Sequence, residues 1–313
     1  MSALLVRRWL STGALNVPLP GSGGTARRWH QLTELAEIDV VSARLAEAHV
    51  DAVAILAELK GRPPHHDQLW GVWAAESPVA VLRARNIGDV MTIDGTKAWC
   101  SGAGLCTHAL VTARMPDDTC GLFAVDLDQS AVRALPNTWR NPGMRDSDTR
   151  SVQFCDAAAA PVGQPGDYLA RPGFWHGAVG VAACWLGGAK AVAAPLYRAG
   201  GAPSADPHVL AHLGAVDAAT AAGEAMLFYV AGRVDADPAD QSGEAEILAR
   251  RTRTIIESAV DEAITRTGRA LGPAPLALDS QHASRVADLM MYVRQSHAER
   301  DLAALGLLVG TRR

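Results

Sequence analysis

Hydrophobic residues recur every three or four positions from residue 31 to residue 59, a spacing that predicts amphipathic helices. Asp39 is the expected N-cap of a second helix, and the Gly-Arg-Pro-Pro run at residues 61–64 is expected to end it. Residues 1–30 are punctuated by glycine and proline, which favours loops and one short helix. The chain is therefore predicted to begin with a short helical segment, residues 1–68.

The central part of the chain, residues 69–165, has short apolar runs instead of long amphipathic ones. Strands are predicted at residues 79–82, 90–93, 109–113, 121–127, 131–135 and 151–155. The pair Asp94 and Gly95 is typical of a tight turn, and Cys155 is predicted to be a small core residue. Because no helix separates these strands, the pattern predicts antiparallel sheets that close into a small β-barrel or sandwich.

After Pro172 the helical spacing returns and persists. Four helical stretches are predicted, at residues 173–199, 207–233, 241–268 and 280–306. A helix of about 25 residues is roughly 38 Å long, which suits an antiparallel four-helix bundle. The predicted fold is therefore α+β in three parts, a short helical segment (1–68), a β domain (69–165) and a helical bundle (166–313).

The charge and cysteine content exclude several classes of protein. A formal net charge of −4 argues against a general nucleic-acid binder. The cluster of Arg250, Arg251 and Arg253 is interpreted as a solvated helix face or, alternatively, as a phosphate contact. The cysteines show no CxxC pair, and the histidines, including His65 and His66, show no metal-ligand spacing. Neither a disulfide framework nor a metal site is expected.

The distribution of apolar residues also indicates where in the cell the protein is expected. The N-terminal apolar run is too short for a signal peptide, and no apolar run of about 20 residues is found. No membrane-spanning helix is therefore expected, and the protein is predicted to be soluble and cytoplasmic.

Two segments of the central region are the most distinctive: DGTKAWCSGA at residues 94–103 and GMRDSDTR at residues 143–150. With these segments in place, the order of helix, β domain and long helices resembles the acyl-CoA dehydrogenases from about Leu32 onward. That family has a longer N-terminal helical domain than the residues before position 69 can form, so several leading helices are expected to be absent.

The resemblance implies a flavoprotein with FAD as cofactor. It implies that the indole of Trp99 packs against the flavin and that the hydroxyl of Ser101 donates towards the N5/O4 edge of the ring. Alternatively, Trp99 is a core aromatic and Ser101 a turn residue.

A second implied contact lies in DEAITRTGRALG, residues 261–272. In the family a glutamine and a pair of glycines here approach the FAD pyrophosphate of the neighbouring subunit. The matching positions are Thr265, Gly268 and Arg269, so only Gly268 is retained. Arg269 either contacts phosphate through its charge or blocks the dinucleotide. The alternative is a helix end with Gly268 as its cap.

The catalytic glutamate of the dehydrogenases is also missing. Its position, eight residues after Asp288, is occupied by Ser296, whose hydroxyl pKa is far too high for a general base. His297 and Glu299 are the candidate replacements. His297 and Asp301 are four residues apart on a predicted helix, so the carboxylate is expected to orient the imidazole. The alternative is a surface ion pair.

The CoA-binding signature is altered as well, with WAAESPVA at residues 73–80, so a thioester substrate is not supported. The leading hypothesis is an FAD-dependent oxidoreductase acting on a small molecule. The alternatives are a flavin monooxygenase that needs a reductase or another electron-transfer partner, and a non-catalytic homologue that serves in assembly. The apolar bundle and the resemblance together predict a homodimer or homotetramer.

Overall fold

The computed structural model describes residues 2–311. It contains two compact units. The β unit comprises residues 2–16, 45–141 and 145–174, and the helical unit comprises residues 17–44, 142–144 and 175–311. This grouping divides the N-terminal segment between the two units, and the three predicted domain boundaries stay a prediction.

Three helices precede the sheet: α1 (Ser2–Ser11), α2 (Thr25–Ile38) and α3 (Val40–Glu58). Asp39 separates α2 from α3, and its carboxylate accepts a hydrogen bond from the backbone N–H of Ser42 at 2.7 Å. The predicted N-cap is therefore confirmed, because this bond satisfies an N–H that has no partner within the helix.

The β unit is built on one curled sheet. Its strands are β1 (Trp70–Trp73), β2 (Leu82–Ile87), β3 (Val90–Cys100), β4 (His108–Arg114), β5 (Cys120–Asp126), β6 (Val132–Ala134), β7 (Arg150–Ala158) and β8 (Ala160–Pro161). Their order is β6-β7-β3-β2-β4-β5-β8, with β1 beside β4. Most neighbours are antiparallel, but β1 and β2 both pair with β4 in parallel. Ile93, Val111, Phe123 and Phe154 lie in the core of the sheet.

The structure corrects the predicted turn at Asp94 and Gly95. Both residues lie inside β3, and the hairpin turn is at Gly88 and Asp89. Gly95 occupies a shift in the β3–β7 register with φ of 122°, and a Cβ there would lie 2.3 Å from the carbonyl oxygen of Val81. The glycine therefore serves a close backbone approach within a strand.

Two further strand predictions were wrong in detail. The strand predicted at 79–82 begins only at Leu82, and Val79 is 92% exposed beside the bridge between Ser77 and Ala80. Cys155 is exposed, because side chains alternate along β7 and its neighbours Val152 and Phe154 take the buried face.

The helices that follow are α4 (Asp167–Ala170), α5 (Gly173–Gly200), α6 (Pro207–Ala236), α7 (Ala245–Leu271), α8 (Ala274–Leu278), α9 (Ser280–Tyr292) and α10 (Glu299–Gly310). The predicted fourth long helix is therefore divided into α9 and α10. The helix stops because the Ser296 hydroxyl accepts the N–H of Ala298 and the Asp301 carboxylate accepts the N–H of His297, each at 3.1 Å. Ala298 lies between them with φ of 45°.

Among the described residues, α5 and α6 are long and apolar enough to cross a membrane by length and composition alone. The most apolar window of α5 is 78% buried, as in the core helix of a globular unit, whereas that of α6 is 28% buried. Most of the apolar window of α6 is therefore exposed in the described part of the chain.

Candidate functional site

The segment at residues 94–103 and residues 145–150 of the second segment lie side by side in the β unit. The β3–β7 register shifts between Lys97 and Cys100, and Trp99 lies in this bulge with φ of 61°. A left-handed backbone is unfavourable for a bulky residue and marks a conformation that its surroundings enforce. The bulge directs the indole outward, where it is 57% exposed and meets the ring of Trp139 edge-on at 6.3 Å.

Backbone hydrogen bonds hold the loop after Trp99 against the second segment. The N–H of Gly102 donates to the carbonyl of Ser147 at 2.8 Å, and the N–H of Gly104 donates to the carboxylate of Asp148 at 2.8 Å. From the sheet, the indole N–H of Trp73 donates to the carbonyl of Ser101 at 2.9 Å. The position of Ser101 is therefore determined by groups distant in sequence.

Three hydroxyl groups form a row that ends at Ser101. The Oγ atoms of Ser101 and Thr149 are 2.9 Å apart, and those of Thr149 and Ser147 are 2.8 Å apart. Ser147 is 1% exposed, whereas Thr149 and Ser101 are half-buried. Ser147 and Thr149 were not identified from the sequence, although they lie in the unbroken polar run of residues 145–150.

Glu76 takes part in a separate charged cluster on the sheet. The buried ammonium of Lys97 donates to the hydroxyl of Thr112 at 2.8 Å and to Glu76 at 3.2 Å. Arg114 lies 3.7 Å from the same carboxylate. These contacts give the buried ammonium of Lys97 the partners that a buried charge requires.

In the helical unit, Ser296 and Glu299 border a cavity of about 210 Å³ between α5, α7 and α10. The Ser296 hydroxyl donates to Glu257 at 2.6 Å. Arg250 stacks on Trp175 at 4.9 Å and pairs with Asp301 at 2.9 Å. Four carboxylates and two guanidinium groups line the cavity.

His297 does not line this cavity, and its side chain is exposed. Its Nδ1 lies 3.7 Å from Asp301, but the predicted shared helical face was wrong because His297 precedes α10. Burial acts to raise the pKa of Asp301, and the N–H of His297 together with nearby Arg253 and Arg250 outweighs it, so the pKa lies below its ordinary value. Asp301 therefore connects His297, which precedes α10, to the first turn of that helix.

Gly268 and Arg269 lie near the C-terminal end of α7. The helix continues through both residues and is capped by Gly272, with φ of 68°, so the predicted cap at Gly268 was wrong. No described atom lies within 4 Å of where a Cβ of Gly268 would be, and Arg269 is exposed. Eleven residues of helix, about 16 Å, separate Gly268 from Glu257, so the two candidate regions of α7 are distinct.

Among the described residues, one group of potential metal ligands lies on the surface of the β unit. The ligand atoms of His65, His66 and Asp67 lie within 4.8 Å of one another, and all three side chains are exposed. The spacing alone, without a buried partner for these side chains, does not identify a metal centre.

The chain is similar to known proteins in sequence over one domain and in structure throughout. Residues 74–157 match the family model described as "Acyl-CoA dehydrogenase, middle domain". No sequence among curated proteins matches the chain.

Three solved structures are similar over nearly the whole chain. Dibenzothiophene monooxygenase TdsC from Paenibacillus sp. A11-2, in complex with FMN and indole, has a TM-score of 0.79 at 19% identity, covering 100% of this chain and 96% of its own. Methanesulfinate monooxygenase MsuC from Pseudomonas fluorescens has a TM-score of 0.81 at 18% identity, covering 98% and 89%. Nitrososynthase from Micromonospora carbonacea var. africana has a TM-score of 0.78 at 17% identity, covering 98% and 88%.

These likenesses show the fold of the chain. The chain has the fold of the acyl-CoA dehydrogenases, and residues 74–157 are similar in sequence to the middle domain of that family. The resemblance inferred from the two central segments and from the predicted α+β fold is confirmed.

Proposed function

We propose that this protein is a flavin-dependent oxidoreductase and that Trp99 and Ser101 hold the flavin ring. The observation that carries the proposal is the backbone of Trp99, a left-handed bulge that presents an exposed indole beside a hydroxyl row. Strained backbone and exposed aromatic surface are features of ligand sites. The bulge and the contact with Trp139 fix the orientation of the Trp99 indole. Hydrogen bonds fix the position of Ser101.

A bound flavin would supply the redox chemistry, since it exchanges electrons with a substrate or with oxygen. The residues of this chain would bind and orient it. Trp99 provides an apolar face for stacking, and Ser101 provides one donor or acceptor whose position is held by Trp73 and by the loop around Ser147.

We further propose an oxygenase rather than an acyl-CoA dehydrogenase. Removal of an α-proton from a thioester needs a general base, and Ser296 at that position donates its hydroxyl hydrogen to Glu257. The similar structures, two monooxygenases and a nitrososynthase, support the same class. In this proposal a reductase partner supplies the electrons and the substrate is a small molecule.

The flavin is proposed to be FMN, with FAD, implied by the resemblance, as the second candidate. α7 runs without interruption through Gly268 and Arg269, so this helix forms no glycine loop for a pyrophosphate. TdsC is described with FMN. The exposed guanidinium of Arg269 is the feature that favours FAD, since it is free to meet a phosphate.

The cytoplasmic location inferred from the sequence stays a prediction.

Flavin titration tests the proposal directly. The purified protein is titrated with FMN and with FAD while flavin fluorescence is recorded, beside Trp99→Ala, Ser101→Ala and the control Ile87→Ala, an exposed residue of β2. Loss of aromatic stacking costs about 0.5–1.5 kcal/mol and loss of one hydrogen bond about 1 kcal/mol. Each site variant should therefore bind flavin roughly 3- to 10-fold more weakly, while the control binds like wild type.

Circular dichroism of every variant confirms that the fold is intact. Wild type that binds neither flavin would support the non-catalytic alternative. Bleaching of the bound flavin by an acyl-CoA under anaerobic conditions, without a reductase, would contradict the oxygenase assignment.

A further inference from the structure

The hydrogen bonds along the row of Ser147, Thr149 and Ser101 can run in either direction, and the hydrogen of Thr149 determines which. Each hydroxyl has one hydrogen to donate and lone pairs to accept. Thr149 lies within hydrogen-bond distance of both neighbours, at 2.9 Å from Ser101 and 2.8 Å from Ser147. Its single hydrogen can serve only one of them at a time.

Two arrangements of hydrogens therefore satisfy the row. In the first, Ser147 donates to Thr149 and Thr149 donates to Ser101, which leaves the hydrogen of Ser101 free to donate to a ligand. In the second, Ser101 donates to Thr149 and Thr149 donates to Ser147, which leaves Ser101 able to accept from a ligand. Rotation of hydroxyl hydrogens alone converts one arrangement into the other, without movement of any heavy atom.

We infer that Thr149 is a positioning residue that lets Ser101 donate to an oxidised flavin and accept from a reduced one. This inference rests on the proposed flavin site at Trp99 and Ser101. The N5 atom of an oxidised flavin is a hydrogen-bond acceptor, whereas the same atom carries a hydrogen and donates after two-electron reduction. A fixed donor would suit only the oxidised form. A serine hydroxyl that can donate its hydrogen to a neighbouring protein group can serve both the oxidised and the reduced flavin.

The physical reason for the internal acceptor is desolvation. Ser101 is already half-buried, and a flavin ring over Trp99 would exclude more water from it. When Ser101 accepts from the reduced ring, its own hydrogen needs another acceptor, because an unsatisfied buried polar group is costly. Thr149 Oγ1 at 2.9 Å supplies that acceptor.

The test compares Thr149→Val, which keeps the shape and removes the hydroxyl, with Thr149→Ser, which keeps the hydroxyl. Affinities for oxidised flavin and for chemically reduced flavin are measured anaerobically. The reduction potential of the bound flavin is measured against a reference dye. Thr149→Val should lose reduced-flavin affinity about fivefold more than oxidised-flavin affinity, the size of one lost hydrogen bond. That ratio corresponds to a potential lower by about 20 mV for a two-electron couple.

Thr149→Ser should restore both the affinity ratio and the potential to those of wild type. Ser147→Ala, which leaves Thr149 and Ser101 in place, provides a second variant if Thr149→Val does not fold. It should lower the potential in the same direction, because Thr149 then loses the acceptor for its own hydrogen. Wild-type protein that binds flavin while Thr149→Val or Ser147→Ala keeps the wild-type potential overturns this inference alone. Wild-type protein that binds no flavin overturns the proposed function and this inference together.

Discussion

At the scale of single residues, His49 couples folding to pH. It is 5% exposed, and its Nδ1 accepts the backbone N–H of Trp70 at 3.2 Å. Burial lowers the pKa of His49 from 6.5 to about 4, so the native imidazole is neutral. Between these two pKa values the unfolded chain binds more protons than the native protein, and stability falls as the pH falls.

We predict that wild type loses about 2 kcal/mol more stability than His49→Gln when the pH drops from 7.5 to 5. Glutamine keeps an acceptor and does not titrate. Chemical denaturation at both pH values measures the difference, with His66→Gln in an exposed loop as the matched control. An equal pH dependence in wild type and His49→Gln would contradict the assignment.

A second prediction for single residues concerns the missing base. His297 and Glu299 both follow Ser296 closely in the chain, but of the two only Glu299 borders the cavity of the helical unit. If one of them transfers a proton, Glu299→Gln or His297→Gln should lower turnover about 10²–10⁴-fold while flavin content and fold are kept. The structure favours Glu299 for this effect.

The measurement is product formation on a substrate found by screening for oxygen consumption. Glu262→Gln removes a carboxylate that pairs with Arg266 on the same helix and serves as the control, for which about 0–1 kcal/mol of stability and no activity should be lost. Full activity in both test variants would place the base elsewhere.

At the scale of elements, the packing of α5 against α2 depends on a glycine. A Cβ at Gly187 would lie 2.1 Å from the carbonyl oxygen of Thr33 and 2.8 Å from the Cβ of Ala36. The Thr33 oxygen and the Ala36 Cβ are fixed on the backbone of α2, so neither can move aside as the end of a flexible side chain could. The two helices therefore approach more closely than any larger residue allows.

We predict that Gly187→Ala lowers the free energy of unfolding by about 1–3 kcal/mol, the usual cost of overpacking. Gly306→Ala makes the same chemical change within α10, where no described atom lies within 4 Å of the new Cβ. This control should be neutral or more stable by up to about 1 kcal/mol, because alanine favours helix. Equal changes in the melting temperature of the two variants would show that the close contact is absent.

At the scale of the whole molecule, α6 carries an apolar face that is exposed among residues 2–311. Phe228 is 74% exposed, and small exposed residues continue this face at helical spacing. They are Gly214, Ala218, Ala221, Ala225 and Gly232. Small residues allow close helix packing, and an exposed apolar face of this kind is typical of a subunit contact.

We therefore predict a homodimer or homotetramer formed through α6. Ala221→Arg places a charge in the middle of this face and should produce monomers, measured by light scattering at micromolar concentration. Val79→Arg, at an exposed position of the β unit, should leave the assembly unchanged. A monomeric wild type would disprove the prediction.

Sequence spacing alone predicted the elements whose formation depends on near neighbours. The long helices follow from apolar residues every three or four positions, and the Asp39 cap depends on residues within one turn. The resemblance was likewise identified from contiguous segments, because the residues that carry it, such as Trp99 and Ser101, lie close together in the chain.

The tertiary structure alone decided the features that no local preference supports. Asp94 and Gly95 favour a turn in isolation, but the pairing of β3 with β2 and β7 places them inside a strand. The left-handed backbone of Trp99 is locally unfavourable, and the sheet bulge and the bonds of the following loop hold it. Thr149 contacts Ser101 although 48 positions separate them in the sequence. This contact forms only after the strands pair. Residues so far apart meet only when long-range packing compensates for the loss of chain entropy.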